Sequence, residues 1–272
     1  MGEPCDAAFA VNVQRFSGFA STYDRHRPTP PAVIPEILSC LAQTPRPRLV
    51  IDLGCGTGLS ARIWADRAGQ VIGIEPSRDM RQEAEARTGA GNASYRAGLS
   101  HATGLEAGCC DIVTCSQSLH WMEPQGTFAE ARRILRAGGV FAAIDCDWPP
   151  TTGSWQVDAA YTDFMKRVSA VEKQHNLSDG LQRWSKQQHL SRMQASGCFR
   201  LTREIAVHGV ETGDASRYVG LALSQGGVQT VLKAGIGEKE IGLEVFREAA
   251  ERLLGGAPGP WYFTYRVRVG IV

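Results

Sequence analysis

The residues with the most chemical content stand close together. Gly54, Gly56 and Gly58 alternate with Cys55 and Thr57 directly after the apolar run Leu49-Val50-Ile51-Asp52-Leu53. Glycines at alternating positions let the chain reverse sharply and let its backbone approach a ligand without Cβ atoms in the way. A second apolar run, Val71-Ile72-Gly73-Ile74, ends on Glu75, about 20 residues on, where an acid can accept from both hydroxyls of a ribose. Asp52 adds a carboxylate before the turn; it would repel a pyrophosphate and suits the ammonium group of an amino acid. A dinucleotide turn needs G-x-G-x-x-G, and here Leu59 and Ser60 follow Gly58. The pattern predicts a seat for adenosine joined to a cationic amino acid. A plain tight turn beside a surface glutamate is the alternative reading.

Further candidates follow the later strands. Ser116-Gln117-Ser118-Leu119-His120-Trp121 begins where Asp111-Ile112-Val113-Thr114-Cys115 ends. His120 and Trp121 are therefore expected on the floor of the same site, His120 as a general base or as a ring that orders the loop. Asp145 and Asp147 close the next run, but Asp-x-Asp alone is a weak cation signal and no metal is expected. Trp148, Trp155, Tyr161, Phe164 and Trp184 concentrate aromatics in one stretch, which fits a planar or apolar acceptor pocket around Trp148 and Trp155. Tyr161 and Phe164 also suit a helix core. His175 and His189 read as surface histidines.

These residues need elements to hold them. Short β-rich runs alternate with amphipathic stretches from Arg48 to Asp147, which predicts a doubly wound parallel sheet. Strands are expected at 49–53, 71–75, 93–97, 111–115 and 140–144. Helices are expected from the glycine turn through Ala68, over 79–87 behind an N-cap at Ser77, and over 128–135 with Gly138-Gly139 as the stop. Beyond Trp148-Pro149-Pro150 a helical stretch runs from Trp155 to about Ala195. A strand at 199–208, helices between 215 and 254 and an alternating strand at 262–269 follow. The expected fold is α/β, a seven-stranded, mostly parallel sheet with an antiparallel C-terminal strand and a helical cap insertion. Its expected parts are 1–47 (N-terminal lid and helix), 48–147 (cofactor-binding core), 148–196 (substrate cap) and 197–272 (the rest of the same domain).

Composition narrows the partners. The 272 residues carry a formal net charge of +1, with basic residues scattered, so neither nucleic acid nor an acidic membrane is an expected partner. Ser116-Gln117-Ser118-Leu119 also lacks the Asn/Asp-Pro-Pro-aromatic pattern of a base-modifying site. The eight cysteines form no C-x-x-C pair, and their use in apolar runs fits a reducing cytoplasm. The N-terminus has no apolar leader and no run is long enough to span a bilayer. A cytoplasmic monomer or homodimer acting on a small molecule is the expectation.

Val50-Ile51-Asp52-Leu53-Gly54-Cys55-Gly56-Thr57-Gly58 resembles motif I of the class I S-adenosylmethionine-dependent methyltransferases. Glu75-Pro76-Ser77-Arg78-Asp79-Met80 resembles the ribose-binding segment of their type 11 branch, which includes enzymes similar to trans-aconitate methyltransferase. Gly98-Leu99-Ser100-His101 resembles the segment after strand three, with His101 where the family usually carries an acid. Ser116 to Trp121 resembles the A-x-H-W signature, and Tyr23-Asp24-Arg25-His26-Arg27-Pro28 the Y-x-x-x-R-P lid. The resemblance implies a Rossmann-like fold. It implies S-adenosylmethionine bound by Tyr23, Arg27, Asp52, Gly54, Cys55, Gly56, Glu75, Pro76, Met80, Leu99, Ser100, Ser116 and Gln117, and S-adenosylhomocysteine as product. Tyr23 and His120 are its catalytic candidates, and His120, Trp121, Trp148 and Trp155 its substrate candidates. An NAD(P)-dependent oxidoreductase and a non-catalytic S-adenosylmethionine-binding protein are the competing readings.

Overall fold

The computed structural model describes residues 9–15, 26–89 and 91–272; Tyr23 and Cys5 lie outside the described residues. A sheet of order β3-β2-β1-β4-β5-β7-β6 runs through the molecule. Its strands are β1 (Leu49–Leu53), β2 (Gln70–Ile74), β3 (Ala93–Arg96), β4 (Cys110–Ser116), β5 (Leu135–Cys146), β6 (Leu201–Gly213) and β7 (Gly259–Ile271). β3, β2, β1, β4 and β5 pair in parallel. β7 is antiparallel to both neighbours. The expected seven-stranded sheet with one reversed strand is therefore present.

Alternation along the strands splits the core in two, because successive side chains point to opposite faces. Val50, Val71, Ile112, Val140, Ala142 and Ile144 join one buried cluster. Ile51, Leu53, Ile72, Ile74, Val113, Phe141 and Ala143 join the other. In β7 the same period buries Trp261, Phe263, Tyr265, Val267 and Val269 while Tyr262 is exposed.

The helices are α1 (Ala10–Arg15), α2 (Val33–Leu41), α3 (Leu59–Arg62), α4 (Arg78–Thr88), α5 (Pro124–Ile134), α6 (Trp155–Gln174), α7 (His189–Ala195), α8 (Ala215–Leu223), α9 (Gly226–Lys233), α10 (Glu238–Ile241) and α11 (Leu243–Leu254). Several boundaries differ from expectation: β5, β6 and β7 are longer than expected and two helix ends shift. α3 stops at Arg62, well short of Ala68. α5 ends at Ile134, and Leu135 to Gly139 already belong to β5, where Leu135 pairs with Cys110 across an irregular register.

The stretch expected as one cap is divided. α6 buries Val157, Tyr161, Phe164, Val168 and Val171, a spacing of three and four that keeps one face inward. Phe164 stacks on Phe246 of α11 at 4.8 Å and Tyr161 meets Tyr218 of α8 at 5.6 Å. α6 and the helices of 215–254 thus share a layer. α7 instead packs beside β6 and β7, with Met193 in the second cluster.

Candidate active site

The carboxyl ends of β1, β2 and β4 open into one cavity, where open α/β sheets bind ligands. Gly54, Cys55, Gly56 and Thr57 line it with Glu75, Pro76, Met80, Leu99, Ser100, Ser116 and Gln117. Ligand-facing and packing glycines differ within the turn. A Cβ on Gly56, at φ +54°, would meet no atom of the described residues within 4 Å; that glycine borders the cavity. A Cβ on Gly58, at φ +78°, would strike the Tyr95 hydroxyl and come 3.1 Å from Ala84. Cys55 turns its thiol onto Gly73.

Glu75 is braced across the turn. Gly56 N donates to its Oε2 at 3.1 Å and Ser77 N to its Oε1 at 2.9 Å. Burial pushes this carboxyl above its usual range, against those two amides. Ser77 is the expected N-cap of α4, accepting from Met80 N at 3.5 Å. That cap holds Met80 in the wall.

Asp52 requires a correction. Its side chain is fully buried and not part of the cavity lining. Ser60 Oγ donates to Oδ2 at 2.5 Å and Thr114 Oγ1 to Oδ1 at 2.7 Å. It lies beneath the turn, on the Val50 face of β1, with Ser60 between it and the cavity. Burial pushes the carboxyl up to about 6, against the two hydroxyl bonds.

His120 is corrected as well. It sits on the short 3-10 turn Leu119–Trp121, buried and behind the cavity wall, with Nδ1 lacking a hydrogen-bond partner. Burial, then the neighbouring Lys186 and Arg183, hold its ring far below the usual imidazole range. The structure brings Trp121 to the cavity but not His120. His189, expected at the surface, is fully buried. His175 is partly exposed and bonds Glu240 at 2.9 Å.

His120, Asp145 and His189 bring one ligand atom each within 4.8 Å of one another. Asp145, however, already faces Lys186 Nζ at 3.0 Å and Arg268 Nη1 at 2.8 Å. A divalent ion there would add two charges to a buried group whose carboxylate is already balanced. Lys186 Nζ also donates to Gln117 Oε1 at 2.5 Å. It ties the loop before α7 to the end of β4, where Gln117 adopts φ +54°. Asp147 pairs with Arg266 at 3.0 Å.

At the other end Trp148, Cys146, Tyr265 and Trp121 line the cavity with Arg27, Pro28 and Pro30. The Arg27 guanidinium lies 5.0 Å above the Trp148 ring and donates to Ser224 O at 2.9 Å. Trp155 is corrected: it is 74% exposed at the first turn of α6 and outside this cavity. Its place falls outside the three-four spacing that α6 buries.

Sequence reasoning marked 1–47 as a lid but did not single out the residues of its roof. Phe9, Asn12 and Val13 of the N-terminal segment line the cavity. Asn12 Nδ2 donates to Trp121 O at 3.1 Å and Gln182 O at 2.7 Å, and its Oδ1 accepts from Gln182 N at 3.0 Å. Arg15 pairs with Glu172 of α6 at 2.7 Å. No local spacing signals these contacts, which join segments more than a hundred residues apart. Tyr265 was findable, because the alternation of β7 puts it on the buried face.

The chain is similar to known methyltransferases. Residues 51–143 match a family described as a methyltransferase domain, type 11. An uncharacterized methyltransferase of Mycobacterium tuberculosis is 30% identical over 125 residues, 46% of this chain and 49% of that protein. A Saccharomyces cerevisiae protein assigned as an S-adenosylmethionine-dependent methyltransferase is 29% identical over 126 residues, 44% of this chain and 43% of that one. The chain thus spans about half the length of the curated relatives it matches. Among solved structures, one assigned as a type II methyltransferase from Anaeromyxobacter dehalogenans superposes with TM-score 0.64 at 19% identity, covering 90% of this chain and 97% of that one.

Proposed function

We propose that this chain, whose residues 51–143 match a methyltransferase domain, is a class I enzyme that moves a methyl group from S-adenosylmethionine to a small molecule. The observation that carries the reading is the braced pair Gly56 and Glu75 opening into a cavity that continues to Trp121, Trp148 and Tyr265. When bound, S-adenosylmethionine supplies the activated methyl group.

Glu75 accepts the ribose hydroxyls, the turn at Gly54 to Gly56 admits the amino-acid end, and Met80, Leu99 and Ser100 enclose the adenine. Asp52 favours the ammonium group from below. The acceptor lies toward Trp121, Trp148 and Tyr265. Trp121, Trp148 and Tyr265 would hold the acceptor atom facing the methyl group that the bound nucleoside would supply. Holding the acceptor there and excluding water are the chain's main contributions. His120 stands behind the wall in this reading and orders the loop, its backbone O accepting from Trp184 N at 2.9 Å.

Among the described residues no helix is long and apolar enough to cross a membrane. The test is calorimetry with S-adenosylhomocysteine and NADH, followed by label transfer from methyl-labelled S-adenosylmethionine to a small-molecule panel. Binding of the first ligand alone, with label in a small product, is expected. Binding of NADH in its place would overturn the proposal.

A further inference from the structure

The loop after β3 is held against α5 at successive positions of one helix face. Ser100 Oγ and Thr127 Oγ1 are 2.8 Å apart and both buried. One turn on, Glu130 Oε1 accepts from Thr103 N at 3.0 Å and from Thr103 Oγ1 at 2.5 Å. Arg133 Nε donates to Glu130 Oε2 at 2.7 Å, and Arg133 Nη2 donates to Leu105 O at 2.7 Å. Gly126 lies on the same face; a Cβ there would sit 3.0 Å from His101 Cβ. Positions 126, 127 and 130 therefore all serve the loop. Burial pushes the Glu130 carboxyl up, yet the Arg133 and Thr103 bonds hold it at about 2, so the clamp is charged at any working pH.

The clamped loop carries Leu99, Ser100 and His101 into the cavity wall. The other acidic groups in that wall are engaged. Glu75 accepts from Gly56 and Ser77, and both oxygens of Glu123 cap α5, from Gln125 N at 2.8 Å and Gly126 N at 2.6 Å. In the cofactor reading the base edge meets the main chain of this loop, where Leu99 O already accepts from Ala102 N at 3.0 Å. Main-chain groups discriminate only if their positions are fixed.

Building on the cofactor reading above, we propose that Glu130 is a positioning residue for base recognition: through Thr103 it fixes the 99–101 main chain, which reads adenine. Adenine presents an amino donor beside a ring acceptor, and hypoxanthine presents the reverse. A rigid main-chain pair accepts one and rejects the other, whereas a loosened loop adapts to both.

The test compares S-adenosylhomocysteine with S-inosylhomocysteine by calorimetry. The wild type is expected to prefer the adenine nucleoside by at least about tenfold, the scale of one well-placed hydrogen bond lost to an unpaired group. Glu130→Ala and the isosteric Thr103→Val should reduce that ratio by about fivefold or more. Thr103→Ser, which keeps the hydroxyl, should retain it. A structural role alone would weaken both nucleosides alike and leave the ratio unchanged, and that result overturns the proposal. So does a wild type with no preference between the two. No heat with either nucleoside overturns the cofactor reading itself, and the clamp with it.

Discussion

Gly56 gives its backbone N–H to Glu75 Oε2 across 3.1 Å, which makes the ligand-facing turn and the acid at the end of β2 one unit. Ser77 N holds the other oxygen at 2.9 Å. The carboxylate therefore stays aimed while burial opposes its charge, and in the proposed reading ribose hydroxyls would meet an acceptor already in place.

Replacing that acceptor should be felt first in binding. Hydrogen bonds to a charged group contribute about 1.5–3 kcal/mol, so Glu75→Ala should raise the Kd for S-adenosylhomocysteine by about tenfold to a hundredfold. Calorimetry on the folded variant measures this directly. A Kd within about twofold of wild type would remove Glu75 from the site.

How much of this was legible before the structure depends on how local each relationship is. β1, the glycine turn, β2 and Glu75 are consecutive, and apolar runs broken by glycine announce them. The same run did not reveal that Asp52 is buried beneath the cavity lining, because Ser60 and Thr114 come from different elements. His120 read as a floor residue at the ligand edge of the sheet, yet Trp184 and Lys186 of the loop before α7 close behind it. Leu135 looked helical by composition, but pairing with Cys110 of β4 draws it into β5. Tertiary contacts override local pattern at each of these places.

Asp52 gives a pH dependence with a definite sign. Its folded carboxyl titrates near 6, raised by burial above the ordinary 3.8. Protonated, it no longer favours an ammonium group, and the ligand's amino end binds the charged form better. Affinity for S-adenosylhomocysteine should therefore rise with pH through about 6 and fall by about tenfold between pH 7 and pH 5. Asp52→Asn should flatten that profile. A wild-type Kd that stays level over this range would show that the buried charge does not reach the ligand.

The glycines of the turn should separate binding from folding. Alanine at Gly56 meets no atom of the described residues within 4 Å, so only its left-handed backbone costs stability, about 1–2 kcal/mol. Its methyl group projects toward the ligand, and S-adenosylhomocysteine affinity should fall more than tenfold, by about 1.4 kcal/mol or more. Alanine at Gly58 adds a clash with Tyr95 and Ala84 to the same backbone strain, so thermal melting should drop further there than at position 56. Melting curves and titrations on the two variants check both halves. Equal stability losses would contradict the packing role of Gly58.

The roof makes the last prediction. Asn12 is 5% exposed and bridges Trp121 and Gln182 through three hydrogen bonds, while Arg15 anchors the same short helix to Glu172. α1 has only six residues, too few to hold a helix by itself in water, so these side-chain bonds carry its attachment. Asn12→Ala should leave the sheet and its melting nearly intact, since α1 adds little to either core cluster. Release of S-adenosylhomocysteine should speed up by about tenfold, the equivalent of about 1.4 kcal/mol removed from the closed state. Asn12→Asp keeps Oδ1 for Gln182 N but sets a carboxylate oxygen against Trp121 O and Gln182 O, so it should release ligand at least as fast as alanine. Stopped-flow displacement with excess unlabelled ligand reads these rates, and a release rate unchanged in both variants would show that α1 does not close the cavity.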